Sequence, residues 1–264
     1  MTAIDTRPGD LSTPAETDDS DANCWQRRQQ SYWDAISERY DQLYLGRWSN
    51  LENRWVQRQL SFIGKFPAPT VLDLGCGTGL GLRIIHDLNK YAQYIGVDVS
   101  QQMVDGLAKA PGVTKVHVGS MDNLDFLNPG QVDVVFSLFA SLSYAYDTED
   151  VFREIARVLV PGGYAYLSIL SADALSRLRS GLRNRLYRTR GDHQSGIAAP
   201  VRRHSVASIR ALSHAAGLTM VWATGMNVFS GFVEVPGLWW VGRVAAWLLP
   251  DRAHTIEVLL RKEP

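Results

Sequence analysis

The sequence predicts an α/β fold built on a doubly wound, mostly parallel sheet. Two observations carry this prediction. From Thr70 onward, short apolar runs of strand length alternate with amphipathic runs of helix length, and crossovers of that size join parallel neighbours. The first apolar run also passes through a cluster of glycines directly into a helix. Sheets of this kind open a ligand crevice at that point, the carboxyl ends of their strands.

The elements follow in order. Residues 1–23 are rich in Asp, Ser, Thr, Pro and Ala and almost without large apolar groups, so they are expected to form a disordered acidic tail. Tyr32, Trp33, Ile36, Tyr40, Leu43 and Tyr44 recur at spacings of three and four and predict an amphipathic helix. A second helix is expected over Leu51–Ile63, before Pro67 and Pro69 break the chain. Strands are then expected at Thr70–Leu74, Tyr94–Asp98, Val113–Val118, Val132–Phe139 and Tyr164–Leu170. Helices are expected between them at Leu80–Leu88, Gln101–Lys109 (capped by Ser100) and Thr148–Leu159, the last stopped by Pro161-Gly162-Gly163. Beyond Ser171 come a helical Ala174–Arg190, a loop Gly191–Pro200, a helix from Ser205 to Ala216, and strands Leu218–Thr224 and His254–Arg261.

Bulk composition narrows the function classes. At 264 residues the chain suits one large domain, here 24–264 with cap helices over 24–66. Its 27 basic and 27 acidic residues balance, so no overall field draws it to nucleic acid. Cys24 and Cys76 make neither a disulfide framework nor a zinc cluster, so no metal is expected and a reducing cytoplasm is. The amino terminus reads unlike a secretory leader, and no apolar stretch reaches the roughly 20 residues needed to cross a bilayer.

The strongest local signal is Val71-Leu72-Asp73-Leu74-Gly75-Cys76-Gly77-Thr78-Gly79. A dinucleotide loop needs a third glycine where this chain has Leu80 or Leu82, and Asp73 would repel a pyrophosphate. An acid at this loop suits a ligand carrying an ammonium and a sulfonium. Asp98 ends the next strand, where a carboxylate can accept from two ribose hydroxyls.

These residues resemble a class I (Rossmann-like) S-adenosylmethionine-dependent methyltransferase, over roughly Tyr32–Lys262. V-L-D-L-G-C-G-T-G is among that superfamily's most specific signatures. Gly119-Ser120-Met121-Asp122-Asn123-Leu124 resembles its adenine-binding segment, with Ser120 where Asp is usual. Val158-Leu159-Val160-Pro161-Gly162-Gly163 resembles its L-x-P-G-G turn, and Tyr40-Asp41-x-x-Tyr44 its N-terminal closing helix. The resemblance implies a seven-stranded sheet with an antiparallel last strand, and S-adenosylmethionine as cofactor with S-adenosylhomocysteine as product. It places Gly75, Gly77 and Gly79, beside Asp73, at the methionine part, Asp98 at the ribose, and Met121 and Asp122 at the adenine. Val99 and Met103 complete the set, with Ser137 beside the cofactor and Tyr40 covering it.

The superfamily shares no single catalytic residue, because in-line methyl transfer asks mainly for alignment and exclusion of water. Candidates for a base or an acceptor-orienting group are His193, His204, Tyr144 and Tyr146. His86 and His214 read as packing or surface groups and His117 as a core histidine. The fourth strand lacks the [DN]-P-P-[YF] element, which counts against DNA as acceptor. Arginines at 177, 179, 183, 185, 188, 190, 202 and 203 suit a solvated face, an acidic substrate or RNA, and the neutral chain weighs against RNA. Acceptor-side insertions are expected at 171–217 and 226–253. Within the latter, Phe229–Pro250 is apolar enough for a membrane-surface helix, a pocket wall or plain core. The resulting expectation is methyl transfer to an O or N atom of a small apolar or aromatic metabolite. Alternatives are a membrane-peripheral lipid or quinone methyltransferase and a non-catalytic cofactor-binding partner subunit.

Overall fold

A computed structural model describes residues 21–44, 46–178, 199–230 and 234–264. The acidic tail up to residue 20, most of the arginine run, His193 and residues 231–233 lie outside the described residues. Helix α1 spans Ala22–Ile36 and opens on Asp21, whose side chain accepts from the Asn23 N–H at 2.9 Å. It therefore begins inside the stretch expected to be tail, because a polar first turn capped by an acid carries no apolar period. Ser37–Tyr44 continues as a 3₁₀ helix, and α2 (Arg47–Gln59) runs into a second 3₁₀ segment, Leu60–Lys65.

The alternation that follows is close to the expected one. It comprises β1 (Thr70–Leu74), α3 (Leu80–Leu88), β2 (Gln93–Asp98), α4 (Gln101–Leu107), β3 (Val113–Val118), β4 (Val132–Ser137), α5 (Thr148–Val158) and β5 (Leu159–Leu170). Beyond a helical turn at Leu175–Leu178 come α6 (Val206–Ala215), β6 (Leu218–Gly225), α7 (Trp239–Leu248) and β7 (Thr255–Lys262). Ser205 caps α6 in a reciprocal pair with Ser208.

The stop expected after α5 is there, but it lies inside a strand. α5 ends at Val158, and Pro161-Gly162-Gly163 forms an irregularity inside β5, between the pairs Val132–Leu159 and Val134–Tyr164. Gly162 takes a φ of 80° there. A proline without an N–H is admitted to a strand at such a bulge.

The strand order is β3-β2-β1-β4-β5-β7-β6. β1 to β5 pair in parallel, and β7 runs antiparallel between β5 and β6. β1 and β4 are buried on both faces, as parallel central strands covered by helices must be. One face packs on α5 and α6 through Val151, Phe152, Ile155 and Ile209. The other packs on α2, α3, α4 and α7 through Val56, Ile85, Leu107 and Trp239. The order reverses at β1/β4, which opens a crevice at the carboxyl ends of β1, β2 and β4.

Candidate functional site

That crevice holds a cavity, about 790 Å³ when the solvent-open space at its mouth is counted in. Its floor is the loop after β1. Gly75 and Cys76 both donate their N–H to the Val97 carbonyl, at 2.8 and 3.0 Å, so the chain turns back over β2. The turn needs a φ of 78° at Gly75, and an added Cβ there would lie 2.4 Å from the Ser141 Cβ. Gly79 is the left-handed N-cap of α3.

Asp98 at the end of β2 is 9% exposed. Its Oδ2 accepts from the Gly77 N–H at 2.8 Å and its Oδ1 from the Ser100 N–H at 3.0 Å. Burial pushes its carboxyl up from the usual range, and these backbone donors pull against that. One acid thereby ties the glycine loop to the start of α4. Met121, Asp122, Gly119 and Ser120 line the cavity from the β3 side, with Val99 and Met103 beside them.

The roof is α1 with the 3₁₀ turn after it. Trp25, Gln26, Gln29, Trp33 and Tyr40 all face the cavity. Trp25 donates its ring N–H to the Tyr144 carbonyl at 2.8 Å, and the Trp33 ring meets Tyr144 edge-on at 5.0 Å and Tyr40 at 6.0 Å. Asp34 bonds the Ser100 hydroxyl, and Asp41 accepts from Thr78 at 2.5 Å, so α1 and its extension close onto the loops that make the floor. At the β4 end, Phe139 and Ala140 take φ values of 50° and 64°, conformations that cost non-glycine residues on the order of 1–3 kcal/mol each. The following 3₁₀ turn, Ser141–Tyr144, presents Ser141, Tyr144, Ala145 and Tyr146 to the cavity.

Of the residues singled out from sequence, Tyr40, Gly75, Gly77, Asp98, Val99, Met103, Met121, Asp122, Tyr144 and Tyr146 therefore meet at one cavity. Asp73 does not line it. It is buried under the loop beside a small separate pocket that also touches Tyr40, Gly75 and Ser141. The Tyr94 hydroxyl donates to Asp73 at 2.6 Å, and burial raises its carboxyl to about 7. Ser137 also lies off the cavity, fully buried, because its hydroxyl donates to the Leu74 carbonyl and ties β4 to β1. Gly79 stands behind the loop against Leu107.

His204 lies away from the cavity. Its Nε2 is 3.2 Å from the Thr148 hydroxyl and its Nδ1 3.4 Å from that of Ser208. Burial, with Arg202 nearby, lowers its basicity. His117 is half-buried on the edge strand and stacks on Phe126 at 4.0 Å instead of sitting in the core. Sequence reasoning missed Trp25, Gln26 and Gln29. Their signal was Trp25 and Trp33 eight residues apart, an i, i+8 relation that puts both on one helical face.

The cavity fits a cationic cofactor on its own chemistry. Among the described residues, the charged ones lining it are Asp98 and Asp122, with Asp73 beneath, and its walls are aromatic. Acids and ring faces favour a sulfonium and an ammonium and disfavour phosphate.

The comparisons with known proteins agree. A family model described as a methyltransferase domain matches residues 72–167. The chain is 28% identical over 171 residues to a malonyl-[acyl-carrier protein] O-methyltransferase of Marinomonas sp. (strain MWYL1), covering 61% of this chain and 58% of that protein. It spans between 29% and 58% of the length of three curated relatives it matches. The methyltransferase in a solved complex with the Haloferax volcanii Trm112 methyltransferase activator superposes with a TM-score of 0.61 at 22% identity, over 89% of this chain and 98% of that one. A Thermotoga maritima S-adenosylmethionine-dependent methyltransferase, a possible histamine N-methyltransferase, gives 0.57 at 16% identity over 89% and 100%. The fold is that of these solved methyltransferases, and residues 72–167 are similar to a methyltransferase domain.

Proposed function

We propose that the protein transfers a methyl group from S-adenosylmethionine to an O or N atom of a small, apolar or aromatic metabolite. The observation that carries this reading is the single cavity in which the glycine loop, Asp98 and Met121 meet the aromatic roof of α1. The bound cofactor supplies an electrophilic methyl on a sulfonium. The chain's residues hold and shield it. Asp98, Val99 and Met103 take the ribose side, Met121 and Asp122 the adenine, and Gly75 and Gly77 the methionine part. Trp33, Tyr40 and Tyr144 exclude water and turn ring faces to the positive charge. A relative named for O-methylation and a structural neighbour named for possible N-methylation keep both acceptor atoms in view. Titration calorimetry with S-adenosylhomocysteine tests the cofactor part. Saturable binding that Asp98→Ala abolishes is expected, and no binding to the intact protein refutes it.

A specific observation favours a second reading, a membrane-peripheral enzyme with a lipid or quinone acceptor. On α7, Trp240 is 62% and Trp247 68% exposed, and Val241, Val244 and Leu248 lie open beside them. The one charged residue of α7, Arg243, is buried, with its guanidinium 3.6 Å over the Trp55 ring. The neighbouring Trp239 faces inward and meets Trp48 at 5.1 Å. An apolar outer face with its charge turned inward suits an interface more than water. Among the described residues no helix is long and apolar enough to cross a membrane. Liposome flotation separates the readings: a lipid acceptor requires binding that the double variant Trp240→Ser, Trp247→Ser loses.

A further inference from the structure

We propose that the acceptor is a carboxylate and that Arg202 anchors it; this rests on the methyltransferase reading above. Three observations converge at the rim of the cavity.

The first is a strap that crosses the rim. Gln29, only 3% exposed and lining the cavity, donates to the Pro200 carbonyl at 2.6 Å. The Arg202 N–H donates to the Ser143 carbonyl at 2.7 Å, and the His204 N–H to that of Leu170 at 3.0 Å. The strap is thus stitched to α1 on one side and to the turn after β4 and the end of β5 on the other.

The second is how Arg202 is held. Its guanidinium lies 4.6 Å from the centre of the Trp25 ring and 5.9 Å from that of Tyr146, two rings that line the cavity. Its Nε donates to the Tyr146 carbonyl at 3.2 Å. A guanidinium lying over a ring and pinned through Nε keeps its Nη pair as a planar fork, the shape that matches a carboxylate.

The third is the absence of a placed base. Among the described residues no histidine, lysine or arginine lines the cavity. The two acids that line it, Asp98 and Asp122, are assigned above to the cofactor, Asp98 already accepting from the Gly77 and Ser100 N–H groups, and His204 is turned to Thr148 and Ser208. An alcohol or an ammonium needs a proton removed before it can attack, whereas a carboxylate is ionised above a pH of about 4–5.

The step balances without a proton. One carboxylate oxygen forms the new O–CH₃ bond as the S–CH₃ bond breaks, and that electron pair stays on sulfur. An anion and a cation become a neutral ester and a neutral thioether. Charge is lost along this path, so an aromatic, water-poor cavity favours it. A carboxylate has about four lone-pair positions, so each oxygen keeps one while the fork is engaged.

The test separates this proposal from the reading beneath it. The protein is loaded with S-adenosylhomocysteine and titrated with benzoate and octanoate, then with benzamide and octanamide. The acids should bind at least about tenfold more tightly than the amides, the worth of one charge-assisted contact. Arg202→Met should erase that preference and Arg202→Lys keep part of it, with S-adenosylhomocysteine affinity unchanged in both. In a second readout, methyl-labelled cofactor is incubated with a total small-molecule extract. The labelled product should release methanol in mild alkali, as methyl esters do. Acids and amides binding alike, acid binding untouched in Arg202→Met, or alkali-stable label overturns the carboxylate proposal alone. Failure of S-adenosylhomocysteine to bind overturns the methyltransferase reading with it.

Discussion

Replacing Gly75 with alanine probes the floor of the site, and its cost can be worked from the geometry. Gly75 sits at φ 78°, where an L-residue costs about 1–2 kcal/mol more than glycine. The new Cβ would stand 2.4 Å from the Ser141 Cβ and 2.8 Å from its Oγ, so the turn after β4 must move. Forced overpacking of this kind costs about 1–3 kcal/mol. The sum is about 2–5 kcal/mol, which at about 2–4 °C per kcal/mol lowers Tm by roughly 4–20 °C for a chain of this size. The displaced turn carries Ser141 and Tyr144, both lining the cavity, so S-adenosylhomocysteine affinity should fall by an order of magnitude or more. The double variant Gly75→Ala, Ser141→Gly separates the two parts. It should recover the steric share and leave the conformational one, an interaction energy of about 1–3 kcal/mol in a double-mutant cycle. Calorimetry and thermal melts of the four proteins make the measurement. Native-like binding in Gly75→Ala, or strictly additive single effects, would refute the contact between this loop and the β4 turn.

Three further outcomes are expected. Burial raises Glu257 and Glu52 from 4.5, and Asp73 from 3.8, to about 7, against weaker opposition from partners such as Trp55 and Arg243 at Glu257. The folded protein then holds protons that the unfolded chain has already released, so stability should fall as pH rises from about 4.5 to 7 and level off above. Each such group adds up to about 1.4 kcal/mol per pH unit, and Glu257→Gln should flatten the curve by its share; parallel curves for the two proteins would contradict this. His204→Ala should leave the methyl-transfer rate within about threefold while costing about 1–3 kcal/mol in stability through its Thr148 and Ser208 contacts. A rate loss above a hundredfold would make His204 a participant after all. Trp240→Ser with Trp247→Ser should leave Tm nearly unchanged, because both rings stand in solvent, and a large drop would show that the α7 face is covered.

The sheet was legible in the sequence where burial on two faces left little choice. Thr70–Leu74, Leu80–Leu88 and Val113–Val118 appear at their expected bounds, and the glycine loop and Asp98 meet as their spacing implied. The roof was harder to read. Residues Gln26 to Gln30 are polar, so no apolar period announced α1, yet Gln29 is buried because its amide finds the Pro200 carbonyl and the Trp33 ring N–H. Adjacent Trp239 and Trp240 read as one patch, although a helix turns neighbours about 100° apart and here sends one to the core and the other to solvent. Arg243 gave no sign of burial; its Nη1 donates to the Gly225 and Met226 carbonyls and its guanidinium lies over the Trp55 ring, partners that only the tertiary fold brings together. Ser137 stood at the expected strand end, but its hydroxyl turned to β1 instead of the cavity. Pro161-Gly162-Gly163 follows the end of α5 as a helix stop should, and its second role as a bulge in β5 comes from a long-range pairing with β4 that no local scheme shows.

The most direct measurement is the titration of S-adenosylhomocysteine into the wild-type protein and into Asp98→Ala. One saturable site per chain is expected, lost in the variant, which would lack the carboxylate that ties Gly77 to Ser100 and is proposed to hold the ribose. No binding to the wild-type protein, or equal binding to both, would contradict it.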